Sequence, residues 1–487
     1  MSKGANVTAP LSIKQRREIP GMKHKQKSAN CLSRRELLKY GLYGGLAAGL
    51  SPSLLLSGCG KRQHAKKPNI ILITLDTTRA DRLGCYGYRR QTSPNLDKLV
   101  EESVLYTRAI APSSWTLPSH ASLFTGKFTS SHGARYDPDG PLLLTNAIKG
   151  PKSWDVYRAR GLAQNEVTLA EILRENGYTT AAEVGGPWLK RIFGLNKGFD
   201  YYNDSQISTV NGRLANQVTA SALNWLKRAR EKEFFLFLNY FDPHGPYRPP
   251  EDFALKFLPK DKYFAKRKPT QAENSALYDA EILYMDHYIG QLLQKLKDDN
   301  LYDNTLIIVT ADHGELFGEH GKFGHGHYLY QEELHVPLFI KYPAGEMSPK
   351  RTDLPLQLTD ILPMICERVG IAIPGSIQGT SPPQIKHPII AETYPLPRFT
   401  EDGSWQSIFE GDFKFIWNSK GQHMLFNLKD DPEENVNIID KGTKRAEGMM
   451  TQLKQYLVKL PKPGPAVPAG EPDDQTKDAL KSLGYVN

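Results

Sequence analysis

Residues 69–76 read Asn69-Ile70-Ile71-Leu72-Ile73-Thr74-Leu75-Asp76, an aliphatic run without polar alternation that stops at an aspartate. A strand with one wet face alternates apolar and polar side chains. An unbroken run of this length belongs to a strand covered on both faces, as parallel strands are. Two further runs repeat the pattern. Phe234-Phe-Leu-Phe-Leu-Asn-Tyr240 leads into Asp242-Pro243-His244-Gly245-Pro246-Tyr247, and Thr305-Leu-Ile-Ile-Val-Thr310 leads into Asp312-His313-Gly314-Glu315. Helical patterns lie between them, at 168–176 before Gly177 and at 276–297. Strands alternating with helices predict an α/β fold: a doubly wound, mostly parallel sheet flanked by helices.

In such sheets ligands bind in the crevice beyond the carboxyl ends of the strands. One aspartate after one strand is ordinarily a turn residue or a helix cap. Three strands that each end in carboxylate or imidazole ligands form a pattern that turn chemistry does not require. Asp76, Asp312 and His313 would together offer two carboxylates and one imidazole, a donor set suited to zinc or manganese. A hydroxyl added to that sphere would be a better nucleophile.

Trp115-Thr116-Leu117-Pro118-Ser119-His120-Ala-Ser-Leu-Phe-Thr-Gly126 supplies a candidate hydroxyl. Pro118 suits the first turn of a helix over 119–125, and Gly126 suits its end. Thr116 then stands just before the helix, where free amide N–H groups favour a bound anion. The competing reading makes Thr116 a plain N-terminal cap. The three ligand-bearing strands favour the nucleophile.

The formal net charge of +9 invites a nucleic-acid reading, but its location removes the need for one. Residues 1–58 hold ten Lys/Arg and two Glu, which accounts for eight of the nine positive charges. No nucleic-acid partner is expected. Within that leader, Ser33-Arg34-Arg35-Glu36-Leu37-Leu38-Lys39 resembles a twin-arginine export motif, centred on Arg34 and Arg35. A modestly apolar, Gly-rich run follows, too short and too rich in Gly and Ser for a membrane span. It closes on Leu56-Ser57-Gly58-Cys59, similar to a bacterial lipoprotein box with Cys59 acylated. The expectation is export by the twin-arginine translocase and attachment to a membrane through a lipid at Cys59, as a periplasmic or cell-surface lipoprotein. The expected divisions are a signal segment at 1–58, a tether at 59–68, a catalytic α/β domain at 69–375 and, from the resemblance of residues 411–438 to a known family, an α+β subdomain with a small antiparallel sheet and terminal helix at 376–487. Four cysteines are too few for a disulfide scaffold. Cys85 and Cys366 either pair or stay as free thiols.

With these residues assembled, the chain resembles the sulfatase family of the alkaline phosphatase superfamily. The resemblance rests on NIILITLDTTRADRLGCYGY, TLPSHASLFTG, DPHGPY, TLIIVTADHGELFGEHG, YQEELHVPLFIKYP and GDFKFIWNSKGQHMLFNLKDDPEENVNI, in that order. It implies one divalent ion (calcium, manganese or zinc) at Asp76, Asp312 and His313, with Thr116 as nucleophile. It also implies that His244 contacts substrate, and that His325 or His327 lies near the position of a lysine that protonates the leaving group. Spacing does not choose between those two. An anionic ester, a sulfated glycan or a phospho-compound, is the expected substrate.

The departures carry chemistry. Sulfatases of the main type need Cys or Ser in C/S-x-P-x-R for conversion to formylglycine, whereas Thr116 and His120 hold the first and last of those positions here. His120 is thus a further candidate catalytic residue. Thr77 stands for a second aspartate, and Gly186-Pro187-Trp188-Leu189 stands for Gly-Lys-Trp-His, with Lys190 next to it. A formylglycine hydrate expels sulfate by collapsing to an aldehyde. A threonine ester lacks that exit and must be attacked at sulfur or phosphorus, which leans the chemistry towards phosphoryl or phosphonyl transfer. The leading expectation is a hydrolase of sulfate, phosphate or phosphonate esters. The alternatives are a phospho-group transferase acting on envelope glycans or lipids, and an idle relative that binds anionic glycans. The segments 136–165 and 248–275 are expected to shape the pocket for the organic part, with Trp154 and Tyr157 either stacking on a sugar or, the favoured reading, packing.

Overall fold

Each aliphatic run becomes a central strand with the expected bounds. The computed structural model describes residues 67–229, 231–344 and 346–465, apart from the side chains of 398–400. The leader with Arg34, Arg35 and Cys59, and the expected tether up to residue 66, lie outside the described residues. The principal sheet contains β1 (Asn69–Leu75), β2 (Val104–Ile110), β3 (Thr179–Glu183), β4 (Tyr201–Asn203), β5 (Phe234–Tyr240), β6 (Thr305–Thr310), β7 (His335–Lys341), β8 (Lys350–Thr352) and β9 (Leu356–Gln357). Its order is β8-β2-β7-β6-β1-β5-β3-β4, with β9 also on β2. All pairings are parallel except those of β7, which runs antiparallel to both β6 and β2.

Side-chain parity along β5 shows how both faces are covered. Phe235 and Phe237 point one way: Phe237 meets His120 and Phe124 of the Thr116–Thr125 helix edge-on, and Phe235 stacks on Phe199. Phe234 and Tyr240 point the other way, Phe234 to Trp225 and the Tyr240 hydroxyl to Thr219, both on the Ala215–Ala229 helix. Period-two alternation puts these partners on opposite faces. Burying each large side chain contributes about 2 kcal/mol, so the strand core outweighs any local preference.

The helices follow their expected ends closely. Thr168 caps Leu169–Glu175 through a reciprocal box with Glu171, and Thr270 caps Gln271–Asp298 through one with Glu273. The second helix therefore starts five residues before its apolar pattern. The helix expected at 119–125 spans Thr116–Thr125 and ends at left-handed Gly126 (φ 62°). A side chain at Gly126 would meet Ile377 at 2.7 Å.

A second sheet of β10 (Ile389–Thr393), β11 (Trp405–Glu410), β12 (Phe413–Asn418) and β13 (Met424–Asn427) forms an antiparallel meander in chain order. The Thr443–Lys459 helix packs on it around Ile408, Phe415, Leu425, Met449 and Leu453. This is the expected small α+β subdomain. Cys85 and Cys366 are both free thiols, which decides that open point. No described helix is long and apolar enough to cross a membrane.

Candidate active site

The parallel register brings the strand ends together. Leu75 lies beside Tyr240 and Thr74 beside Thr310, so Asp76, Asp242 and Asp312 leave the sheet at one edge. Asp76, Asp312 and His313 each direct one ligand atom into a group within 4.8 Å, and all three are buried. Thr116 Oγ1 lies 3.2 Å from His313 Nε2. The four residues expected to form the centre are thus adjacent.

Their hydrogen bonds show which atoms are spoken for. Asp312 Oδ1 accepts from the backbone amides of Thr77 and His313. Asp76 Oδ2 accepts from Asn239 Nδ2. Asp76 Oδ1 and Asp312 Oδ2 are buried without a hydrogen bond. Burial, then the neighbouring Asp312, hold the Asp76 carboxyl well above the usual carboxylate range. Two buried carboxylates with orphaned oxygens and an imidazole nitrogen fit a divalent cation, the partner such groups require. His313 Nδ1 faces the Gly314 carbonyl, an acceptor only, so Nδ1 carries the proton and Nε2 presents its lone pair to Thr116. Burial pushes the His313 imidazole down to about 4, which keeps it neutral. Gly314 admits no side chain, because a Cβ there would lie 2.0 Å from the Glu332 carbonyl oxygen.

Thr116 is the first residue of its helix rather than the residue before it. The cap position belongs to Trp115, and no side chain caps this helix. The plain-cap reading therefore gives way, and the Thr116 hydroxyl faces His313 instead. The first-turn amides still lack intrahelical partners and keep their value for an anion.

His120 lies one turn further on, fully buried. Its Nδ1 donates to the Thr116 carbonyl oxygen at 2.9 Å, and its Nε2 is 3.0 Å from Thr74 Oγ1. Burial lowers its pKa. Its ring props the Thr116 backbone from beneath and lies 3.5 Å from Asp312 Oδ2. Thr77 departs from a ligand role: its hydroxyl donates to the Pro243 carbonyl, and its backbone sits at φ 51°. That conformation is uncommon for a β-branched residue and aims its amide at Asp312. Lys190 is likewise engaged elsewhere, on the carbonyls of Asp204 and Ile207.

A cavity of about 560 Å³ opens above these residues, lined in part by Trp115, His244, Glu315, His325 and His327. Thr116 is only 1% exposed, and its neighbour Trp115 lines this cavity. His325 Nδ1 bonds Glu315 Oε1 at 3.1 Å, and its ring lies 4.6 Å from His313 and 4.9 Å from His244. Burial works against its charge, but Glu315 prevails and the His325 pKa is raised. Tyr247 donates to the other Glu315 oxygen. His244 stacks on Phe241 and donates from Nδ1 to Gly245; burial, then His325, drive its pKa down to about 3. Trp154 and Tyr157 pack partly against the core, as expected, and also line the cavity.

Two residues with clear roles escaped the sequence reading. Asn239 donates to Asp76 and Thr74 while its oxygen accepts from the amides of Gly185 and Gly186. Glu315 orients His325. The signal for Asn239 was present: a polar residue inside a strand buried on both faces must be hydrogen-bonded.

The family model described as Sulfatase matches residues 68–371, and the one described as N-sulphoglucosamine sulphohydrolase, C-terminal, matches residues 318–462. An arylsulfatase of Clostridium perfringens is 26% identical over 463 residues, covering 81% of this chain and 94% of that one. Among solved structures, the phosphonate monoester hydrolase of Agrobacterium radiobacter superposes with a TM-score of 0.64 at 19% identity, covering 81% of this chain and 96% of the other. A protein solved with its substrate D-glucosamine-2-N,6-O-disulfate also gives 0.64, at 22% identity, covering 81% and 99%.

Proposed function

The chain belongs to the sulfatase family, a family of ester hydrolases, and on that premise we propose that it cleaves sulfate, phosphate or phosphonate esters with Thr116 as a direct nucleophile. The observation that carries the proposal is the 3.2 Å approach of Thr116 Oγ1 to His313 Nε2, beside the two orphaned carboxylate oxygens. Asp76, Asp312 and His313 would hold one divalent ion, whose charge makes the threonine hydroxyl more acidic and offsets charge on the ester oxygens.

The chain's own groups supply the rest. His313, neutral and fixed through Nδ1, keeps its lone pair on the Thr116 side. First-turn amides of the Thr116–Thr125 helix face the oxygens of an incoming anion. His325, oriented by Glu315 and Tyr247, donates a proton to the departing oxygen from its other nitrogen. Threonine is not a formylglycine precursor, so turnover requires water to attack the covalent ester at phosphorus or sulfur. That requirement favours phosphoryl and phosphonyl esters over sulfates.

Wild-type protein assayed on aryl sulfates, phosphodiesters and phosphonates, with metal content measured alongside, tests the proposal. Thr116→Ala is expected to lose activity at least about 100-fold while keeping stoichiometric metal. Equal turnover by wild type and Thr116→Ala would remove the nucleophile. The proposal also places the protein outside the cytoplasmic membrane on a lipid at Cys59, on the support of the leader alone. Cys59→Ser is expected to shift the protein from the membrane fraction to the soluble one, and an unchanged distribution would count against the anchor.

A further inference from the structure

The cavity above Thr116 has a composition that bears on the part of the substrate that leaves. Its walls are aromatic, with Trp115, Trp154, Tyr157, Trp188, Phe317 and Phe323 among them. Trp115 and Trp188 pack edge-on at 4.7 Å, which makes a fixed corner beside the nucleophile. Phe323 leaves 58% of its surface exposed at the lining. Two neutral amides, Gln271 and Asn274, come from the first turn of the Gln271–Asp298 helix.

Among the described residues that line this cavity there is no lysine or arginine. Its one carboxylate, Glu315, is bound to His325 and Tyr247. Three cations of adjoining segments are engaged with other groups. Lys190 bonds the Asp204 and Ile207 carbonyls, and Arg79 bonds Asp81, Glu319 and the Glu315 carbonyl. Lys322 lies 4.5 Å over the Tyr328 ring.

A second sulfate or phosphate on the substrate would lose its hydration against these aromatic walls, and His325, the lining group that carries positive charge, is already paired with Glu315, so the exchange is costly. An uncharged ring meets the opposite conditions. Its face stacks on indole and phenyl surfaces, and any hydroxyls at its edge reach the amides of Gln271 and Asn274.

We infer that the substrate carries a single anionic group, the one transferred, on an uncharged ring-bearing leaving group, glycosyl or aryl, and that multiply charged glycans are rejected. This inference rests on the proposed ester-cleaving site. Its test reads binding rather than turnover, so the two fail separately. Metal-loaded Thr116→Ala protein is titrated with 4-nitrophenyl sulfate, methyl glucoside 6-sulfate and methyl glucoside 2,6-disulfate, and with the matching phosphates, by calorimetry. At least one singly substituted ester of each matched set is expected to bind about tenfold or more tighter than the doubly substituted glucoside. The tighter of the two identifies an aryl or a glycosyl leaving group. Phe323→Lys is expected to raise affinity for the doubly substituted glucoside about tenfold without helping the monoesters. Equal or tighter binding of the doubly substituted compounds by Thr116→Ala, or no binding of any of them, would overturn the inference.

Discussion

His325 and His327 lie two residues apart, yet their surroundings give them different tasks. His325 is tied to Glu315 and stands 4.6 Å from His313, while His327 lies beside Tyr328 with ring centroids 6.3 Å apart. His325 combines a carboxylate partner with a place against the candidate metal ligand His313. His325→Ala is expected to slow esters with poor leaving groups about 100-fold or more, because those need the proton. Esters of 4-nitrophenol, whose leaving oxygen needs none, should change little. A uniform loss across both leaving groups would assign His325 a structural role instead. At this scale the ligands were legible because acidic residues and histidines recur at the ends of apolar runs. Asp76, Asp312, His313 and Thr116 all meet as the motifs predict. For His120 the sequence shows that a residue replaces arginine but does not show which way it points. Asn239 is hidden for a related reason: one polar letter among six apolar ones looks like tolerance until its four hydrogen-bonded neighbours are seen.

Elements were legible in proportion to the length of their pattern. β1, β5 and β6 carry seven, seven and six residues of nearly unbroken apolar sequence, and their ends fall where the runs end. The segment 136–165 contains Leu142–Leu143 and Arg158–Arg160, which join Arg135–Tyr136 in a three-stranded sheet too short to show any period. The start of the Thr116–Thr125 helix was misplaced because proline is tolerated anywhere in a first turn, so Pro118 marks the turn but not its first residue. A different junction gives a pH prediction. Asp360 precedes the Ile361–Arg368 helix and accepts from the amides of Gln357 and Thr380, and His387 Nε2 reaches it at 2.6 Å just before β10. Burial opposes the charge on His387, but Asp360 outweighs it and raises the pKa above 6.5. A histidine whose pKa is raised on folding stabilises the fold fully below its unfolded pKa. That contribution is lost as pH rises through the folded value. Below about pH 6.5 the pair should contribute about 2 kcal/mol, as hydrogen bonds to charged groups do. The melting-temperature gap between wild type and His387→Gln should therefore be largest under mildly acidic conditions and shrink towards alkaline pH. A gap that is constant with pH would sink this account.

At the scale of the whole molecule, the C-terminal sheet holds the loop that carries His325 and His327. Thr393 of β10 donates to the Gly326 carbonyl, and Tyr328 donates to Asp402 at 2.6 Å. Glu434 accepts from the Gln331 amide, where the chain turns towards β7. Glu434 is in turn paired with Lys414 of β12 at 2.8 Å, and both side chains are fully buried. The family resemblance implies a small sheet and helix here, but nothing in the sequence pattern reveals a buried ion pair, because burial is decided by partners distant in the chain. Burial lowers the pKa of Lys414 and raises that of Glu434, so each charge depends on the other. Removing one partner strands the other charge in a dry interior, which costs about 3–5 kcal/mol, whereas replacing both with apolar groups of similar volume is close to neutral. Lys414→Met is therefore expected to lower unfolding free energy by about 3–5 kcal/mol, and Lys414→Met with Glu434→Leu to recover most of it. The double variant still loses the Gln331 bond that Glu434 makes. It should keep its stability yet turn over esters with poor leaving groups more slowly than wild type, because the loop presenting His325 is less firmly held. Denaturant melts paired with leaving-group series separate the two effects. If the double variant is as unstable as the single one, the pair is more than a mutual charge balance; if it is stable and fully active, the C-terminal sheet does not position the loop through Glu434.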